Sequence, residues 1–276
     1  VNGSSSTLIL SEGSATDAPV SDLGPDGIYR TLLWPGGGSD AHIRMWDGVS
    51  TTPSGFTYLP IVNAATMARL GINDFLIVFP WNSYDISMNG QNQILLVHEQ
   101  EVNNVTNTIF AILDESITGD SLLYTEKHRI NQQLFNIHQT RVPNSDSWTV
   151  VGNDYYSETM SYLVEPSGTV SAYPNIPNLL GARHVWTSQN QLFAVGHSPQ
   201  NEISIYEFQG QGVTGSWVLR EAIPAASSFY SLGYGAVATP SGNMYTPAMD
   251  ASGSQLSLHR VFDENVEFNF TVSSDS

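Results

Sequence analysis

Along this chain, short runs rich in Val, Ile, Tyr, Phe and Thr are broken by clusters of Gly, Pro, Asn, Asp and Ser. Runs of that kind, with apolar and polar residues trading places, are β-strands separated by tight turns. One stretch shows the order best: Gln191-Leu-Phe-Ala-Val-Gly196, then Glu202-Ile-Ser-Ile-Tyr-Glu-Phe208, then Ser216-Trp-Val-Leu-Arg-Glu-Ala-Ile-Pro224. The same order recurs as Trp148-Thr-Val-Val-Gly152, Thr159-Met-Ser-Tyr-Leu-Val-Glu165 and Thr169-Val-Ser-Ala-Tyr-Pro-Asn-Ile-Pro177. It recurs again as Asn243-Met-Tyr-Thr-Pro-Ala248, Gln255-Leu-Ser-Leu-His-Arg-Val261 and Asn265-Val-Glu-Phe-Asn-Phe-Thr-Val272. Nearer the start stand Tyr29-Arg-Thr-Leu-Leu-Trp34, Ala41-His-Ile-Arg-Met-Trp46 and Phe56-Thr-Tyr-Leu-Pro-Ile-Val62. Two looser copies lie between, Phe75–Phe79 with Gln93–Val97, and Ile109–Leu113 with Ser121–Tyr124.

Six units spaced roughly 35 to 50 residues apart match the length of a four-stranded propeller blade. The pattern therefore predicts an all-β chain, a six-bladed β-propeller of four-stranded antiparallel blades. Each blade opens on an innermost strand, for which Gly181-Ala-Arg-His-Val-Trp186 and Phe229–Val237 are candidates. Pro60, Pro143, Pro177 and Pro224 read as the stops that end one sheet and begin the crossover to the next. Residues 1–276 form one domain on this reading: 1–28 a closing strand, Ser6–Leu10, and a connector, Asp17–Asp26, with 29–276 the six blades. A jelly roll is the alternative with comparable length and strand number.

Composition narrows the partners. The chain holds 26 acidic against 9 basic residues, a formal charge of −17. That field repels phosphate backbones and anionic lipid surfaces, so nucleic acid and membrane are not expected partners. With no cysteine, neither disulfides nor thiolate chemistry is available. The Asn-x-Ser/Thr sequons at Asn2, Asn104 and Asn269 are glycosylation acceptors, and they point with the non-Met start at Val1 to a secreted, processed chain.

In a propeller, concave binding surface gathers at the mouths of the central channel. Aromatic walls and polar groups assigned to one such mouth are Trp34, Trp81, Tyr84, Asp154, Tyr155, Trp186, His197, Phe229 and Tyr234, as substrate-binding positions. Arg183 and His184 on one inner strand, with Tyr230 on another, are the candidates for proton transfer and charge stabilisation. No His-x-x-x-His pair, nucleophile elbow, phosphate-cradling loop or EF-hand loop is present, so neither metal nor cofactor is expected. The repeats over Tyr29–Val272 resemble the six-bladed β-propeller superfamily. Length, sequons and missing motifs are similar to those of secreted fungal biosynthetic propellers, among them the tropolone sesquiterpenoid hetero-Diels-Alderases. That resemblance implies a metal-independent cyclase or pericyclase holding an apolar terpenoid or polyketide, a small-molecule partner, in the channel. A carbohydrate-binding lectin and a calcium-dependent lactonase or esterase are the alternatives.

Overall fold

The computed structural model describes residues 20–33, 42–46, 56–63, 84–102, 105–115, 121–154, 158–179, 181–188, 190–200, 202–224, 237–238, 244–249, 255–260 and 266–271. Across them the chain forms four-stranded antiparallel meanders in sequence order. The first holds β1 (Val20–Leu23), β2 (Tyr29–Leu33), β3 (His42–Trp46) and β4 (Phe56–Asn63). The second holds β5 (Tyr84–Met88), β6 (Ile94–Val102), β7 (Val105–Glu115) and β8 (Leu122–Ile130). The third is β9 (Phe135–Arg141), β10 (Trp148–Asn153), β11 (Thr159–Val164) and β12 (Val170–Ala172). In the fourth are β13 (Gly181–Ser188), β14 (Gln191–His197), β15 (Glu202–Gln209) and β16 (Ser216–Pro224). The fifth comprises β17 (Val237–Ala238), β18 (Met244–Met249), β19 (Gln255–Arg260) and β20 (Val266–Thr271). A short parallel pairing, Ile61↔Leu122 to Asn63↔Tyr124, joins the outer strands of the first two sheets.

Successive sheets pack face to face in series. Leu32 and Ile43 of the first sheet meet Ile86, Leu96, Ile109, Ala111 and Leu113 of the second. The opposite face of the second, Leu95, Val97, Phe110 and Ile112, meets Trp148, Val150 and Val164 of the third. Val151, Tyr173 and Ile176 then meet Leu192, Ala194, Tyr206 and Trp217 of the fourth. A sheet covered on both faces needs apolar side chains at odd and even positions alike. This is why Ile109–Leu113 is apolar without interruption, each residue 0% exposed. A two-sheet jelly roll has no such serial stack.

The first strands of consecutive sheets also touch: β1 packs on β5, β5 on β9, and β9 on β13. Side chains tie them together. The Met88 N–H donates to Asp22 Oδ2 at 2.7 Å, the Gln139 N–H donates to Asp85 Oδ2 at 2.8 Å, and the Thr187 hydroxyl donates to the Arg141 carbonyl at 2.6 Å. These bonds give inner-edge backbone groups the partners that an unpaired strand edge lacks.

A shared irregularity marks the sheets as repeats. In the fourth sheet the register passes from Ile205↔Glu221 to Tyr206↔Leu219 and skips Arg220. The second sheet skips Lys127 between Phe110↔His128 and Ala111↔Glu126, and the fifth skips Glu267 between Leu258↔Phe268 and His259↔Val266. The same outer-strand bulge recurs in all three, adding local twist.

Three expectations need correction. The two looser repeats belong to one sheet: Gln93–Val97, Ile109–Leu113 and Ser121–Tyr124 all fall in the β5–β8 meander, and Phe75–Phe79 lies outside the described residues. Apolar runs on β6 and β7 mimicked two units because both faces of that sheet are buried. Val20–Leu23, within the expected connector, is an inner strand, made so by Asp22 bonding to the neighbouring sheet. Pro143 does not end a sheet but sits in the β9–β10 hairpin. The proposed closing strand, Ser6–Leu10, lies outside the described residues.

Candidate functional site

Where first strands run into their hairpins, a groove of about 720 Å³ opens between the third and fourth sheets. One wall is the β9–β10 turn, with Asn144 and Ser145. The other is built from Asn190 in the β13–β14 turn, Gln191 and Gln209 at the strand ends beside it, and Gln211 in the β15–β16 loop. Leu163, Tyr173, Leu192 and Phe208 supply the apolar surface.

The pleat explains the floor. Tyr206 and Phe208 share the face of β15 that meets the third sheet, so Phe208 reaches Tyr173, which follows β12. Their rings stack with centroids 4.6 Å apart and planes at 24°, and Trp217 meets Phe208 edge-on at 5.2 Å. Trp217 is anchored by its indole N–H, which donates to the Pro174 carbonyl at 2.8 Å. Gly215 packs so closely on the Phe208 ring that a Cβ would overlap it. Burial pushes the Tyr173 hydroxyl up to about 12, so it stays protonated at neutral pH.

The walls are set by backbone conformation. Asn144 and Asn190 sit in the left-handed region, φ 54° and 62°, which asparagine tolerates better than most side chains. Charges near the groove are engaged. The Arg141 guanidinium donates to the Ser145 carbonyl at 2.6 Å and lies 3.6 Å from the Asp146 carboxylate. Asp146 also accepts from the Gly90 N–H and the Gln91 amide across the sheet boundary. Glu207 alternates with Phe208 and meets Arg220, the bulge residue, at 3.3 Å.

A smaller cavity of about 220 Å³ lies at the same end, among the first three sheets, beside Asp22, Pro25, Ser87, Met88, Thr140 and Arg141. Among the described residues, no group of three or more His, Asp or Glu is placed to hold a metal ion.

Most of the described residues expected at the site stand toward the other ends of their strands. Arg183 is the bulge residue in β13, where pairing passes from Ala182↔Gly196 to His184↔Val195. His184 follows it, Trp186 lies opposite Phe193, and His197 pairs with Gly181 at the strand end remote from Asn190. The structure does not bring this set to the groove. Tyr84 begins β5 and packs against the core between the first two sheets. The Asp154 carboxylate accepts from the Glu158 N–H at 2.8 Å and closes the β10–β11 turn. Trp34, Trp81, Tyr155, Phe229, Tyr230 and Tyr234 lie outside the described residues, as do Asn2 and Asn104. Asn269 stands on β20 opposite Ser257. Sequence reasoning missed Tyr173, Phe208 and the amides. Their only local signals are the turn residues Pro143-Asn144-Ser145 and Gln209-Gly210-Gln211-Gly212.

No protein-family model matches the sequence, and no curated protein matches it. Solved structures do resemble the fold. AofleA from Arthrobotrys oligospora aligns with a TM-score of 0.57 at 8% identity, over 93% of this chain and 71% of that one. The SapL1 lectin in complex with α-methyl fucoside aligns at 0.55 and 12%, over 92% and 80%. The Aleuria aurantia lectin, described as a six-bladed β-propeller with a novel mode of fucose recognition, aligns at 0.51 and 8%, over 92% and 76%. These likenesses lend no support to kinship with the biosynthetic propellers. At such identities they show the fold alone: this chain is a β-propeller-type protein made of four-stranded antiparallel sheets.

Proposed function

We propose that the chain is a carbohydrate-binding protein, a lectin, that holds sugar in the groove between its third and fourth sheets. The observation that carries this reading is the half-buried Phe208 ring, held from beneath by the buried Tyr173 ring, between walls of amide side chains. A pyranose has apolar C–H faces and a belt of hydroxyls. Aromatic rings suit the faces, and an amide, which both donates and accepts, suits a hydroxyl, which does the same. Sugar binding by SapL1 and the Aleuria lectin supports the reading. The enzyme expectation lacks comparable support, since Arg183 and His184 stand at the strand end away from this groove. The same reading takes the whole ring as six-bladed, closed by Ser6–Leu10, as supported by the likeness to the six-bladed Aleuria lectin. It also places the protein outside the cell, on the strength of the sequons.

The test is a glycan array probed with the purified protein, alongside Phe208→Ala. We expect retention of a defined set of glycans, weakened at least tenfold in the variant, the equivalent of about 1.4 kcal/mol. An array indistinguishable from the blank would remove the reading.

A further inference from the structure

We infer that the groove selects an uncharged oligosaccharide segment of roughly three rings, in preference to a single terminal sugar or an acidic glycan, because ligand cavities of about 300–1,000 Å³ take drug-sized molecules. The inference rests on the carbohydrate reading and adds length and charge to it.

Length comes from the space. At about 720 Å³, the groove stands in the upper half of that range, and a trisaccharide has the bulk of a drug-sized ligand. The amides are spread along both sides, from Asn144 on the third sheet to Gln191 and Gln211 on the fourth, so hydrogen bonds are on offer along the groove. Asn144 and Asn190 are held in left-handed turns, and Gly210 at φ 107° lets the facing loop double back. Walls set before binding save the ordering cost that weakens contact with a mobile ligand.

Charge selection comes from what surrounds the groove. The Glu207 carboxylate is met by Arg220, and Arg141 and Asp146 neutralise one another at 3.6 Å. No uncompensated cation is left among these groups to meet a uronate or sialate. Burying an anion there without a partner is costly, and the formal charge of −17 opposes its approach. Neutral hydroxyls find donors and acceptors at every amide.

Titration calorimetry tests this with methyl α-fucoside and with cello-, malto- and N-acetylated chito-oligosaccharides of one to five rings, against oligogalacturonides of the same lengths. For the best neutral series we expect affinity to rise about tenfold per ring up to the trisaccharide and then level off. Oligogalacturonides should bind at least tenfold more weakly at matched length. Gln191→Ala at the start of β14 and Gln211→Ala in the β15–β16 loop, both checked for folding by circular dichroism, should each weaken the trisaccharide severalfold. A monosaccharide bound as tightly as its oligomers, a preference for galacturonides, or two silent variants would overturn the inference and leave the lectin reading standing. Failure to bind any member of the panel, together with an empty glycan array, would overturn both.

Discussion

Asp85 shows how much one side chain can carry in this fold. Its carboxylate accepts from the Ile86 and Gln139 N–H groups and so links β5 to β9. Burial, with a smaller contribution from the Asp22 charge, pushes its pKa up to about 8, and burial raises Asp22 as well. A folded-state value above the unfolded one means that the native state binds the extra proton. Stability therefore falls as pH rises from about 4 toward 8, at up to about 1.4 kcal/mol per pH unit for one group. Denaturant midpoints measured from pH 5 to 9 should decline, and Asp85→Asn should flatten most of the decline. A variant with the wild-type slope would show that another group is responsible. His98 acts in the opposite sense. Its ring bonds to the Glu99 carbonyl and the Tyr124 hydroxyl, and burial lowers its pKa to about 4. It contributes to stability above its unfolded pKa of about 6.5, and that contribution is lost as pH falls toward 4.

At the scale of elements, the hairpins are the most legible feature. Gly24-Pro-Asp-Gly27-Ile28 and Asn89-Gly-Gln-Asn92-Gln93 form the same turn, each with paired hydrogen bonds and a left-handed fourth residue, Gly27 at φ 77° and Asn92 at φ 61°. Turn residues act through local backbone sterics, so their identity is readable without a partner. Strand faces are less legible. The repeat pattern divides β6 and β8 between two units, yet His98 and His128 stand on the second and fourth strands of one sheet. The difference follows from merging two apparent units into one. The floor of the groove depends on the turn that ends the β15–β16 loop. Gly215→Ala would drive a methyl into the Phe208 ring, which Tyr173 and Trp217 keep from swinging aside. We expect that variant to fold with a stability loss of about 1–3 kcal/mol, the usual cost of overpacking, and to lose glycan binding. Unchanged melting and binding would mean that the loop relaxes freely.

On the scale of the whole molecule, serial packing and charge dominate. Each of the second and third sheets is covered on both faces, so every one of them depends on its neighbours. The 26 acidic residues are an opposing load, because like charges on a closed surface repel. Raising NaCl from about 0.05 to 0.5 M shortens the screening length from roughly 14 to 4 Å and should raise the melting temperature. A melting temperature that falls with salt would place the acidic residues in stabilising pairs instead.

From the order of residues alone came the all-β class, the four-strand repeat and many of its turns, because strand propensity and turn chemistry are local. The end of the sheets that forms a groove, the ring pair packed beneath it and the strand hidden in Val20–Leu23 came only with the tertiary structure. Tyr173 and Phe208 stand far apart in the chain, and their contact exists because one sheet's outer crossover lands on the next sheet's third strand. No periodicity within a strand encodes which neighbour will cover it.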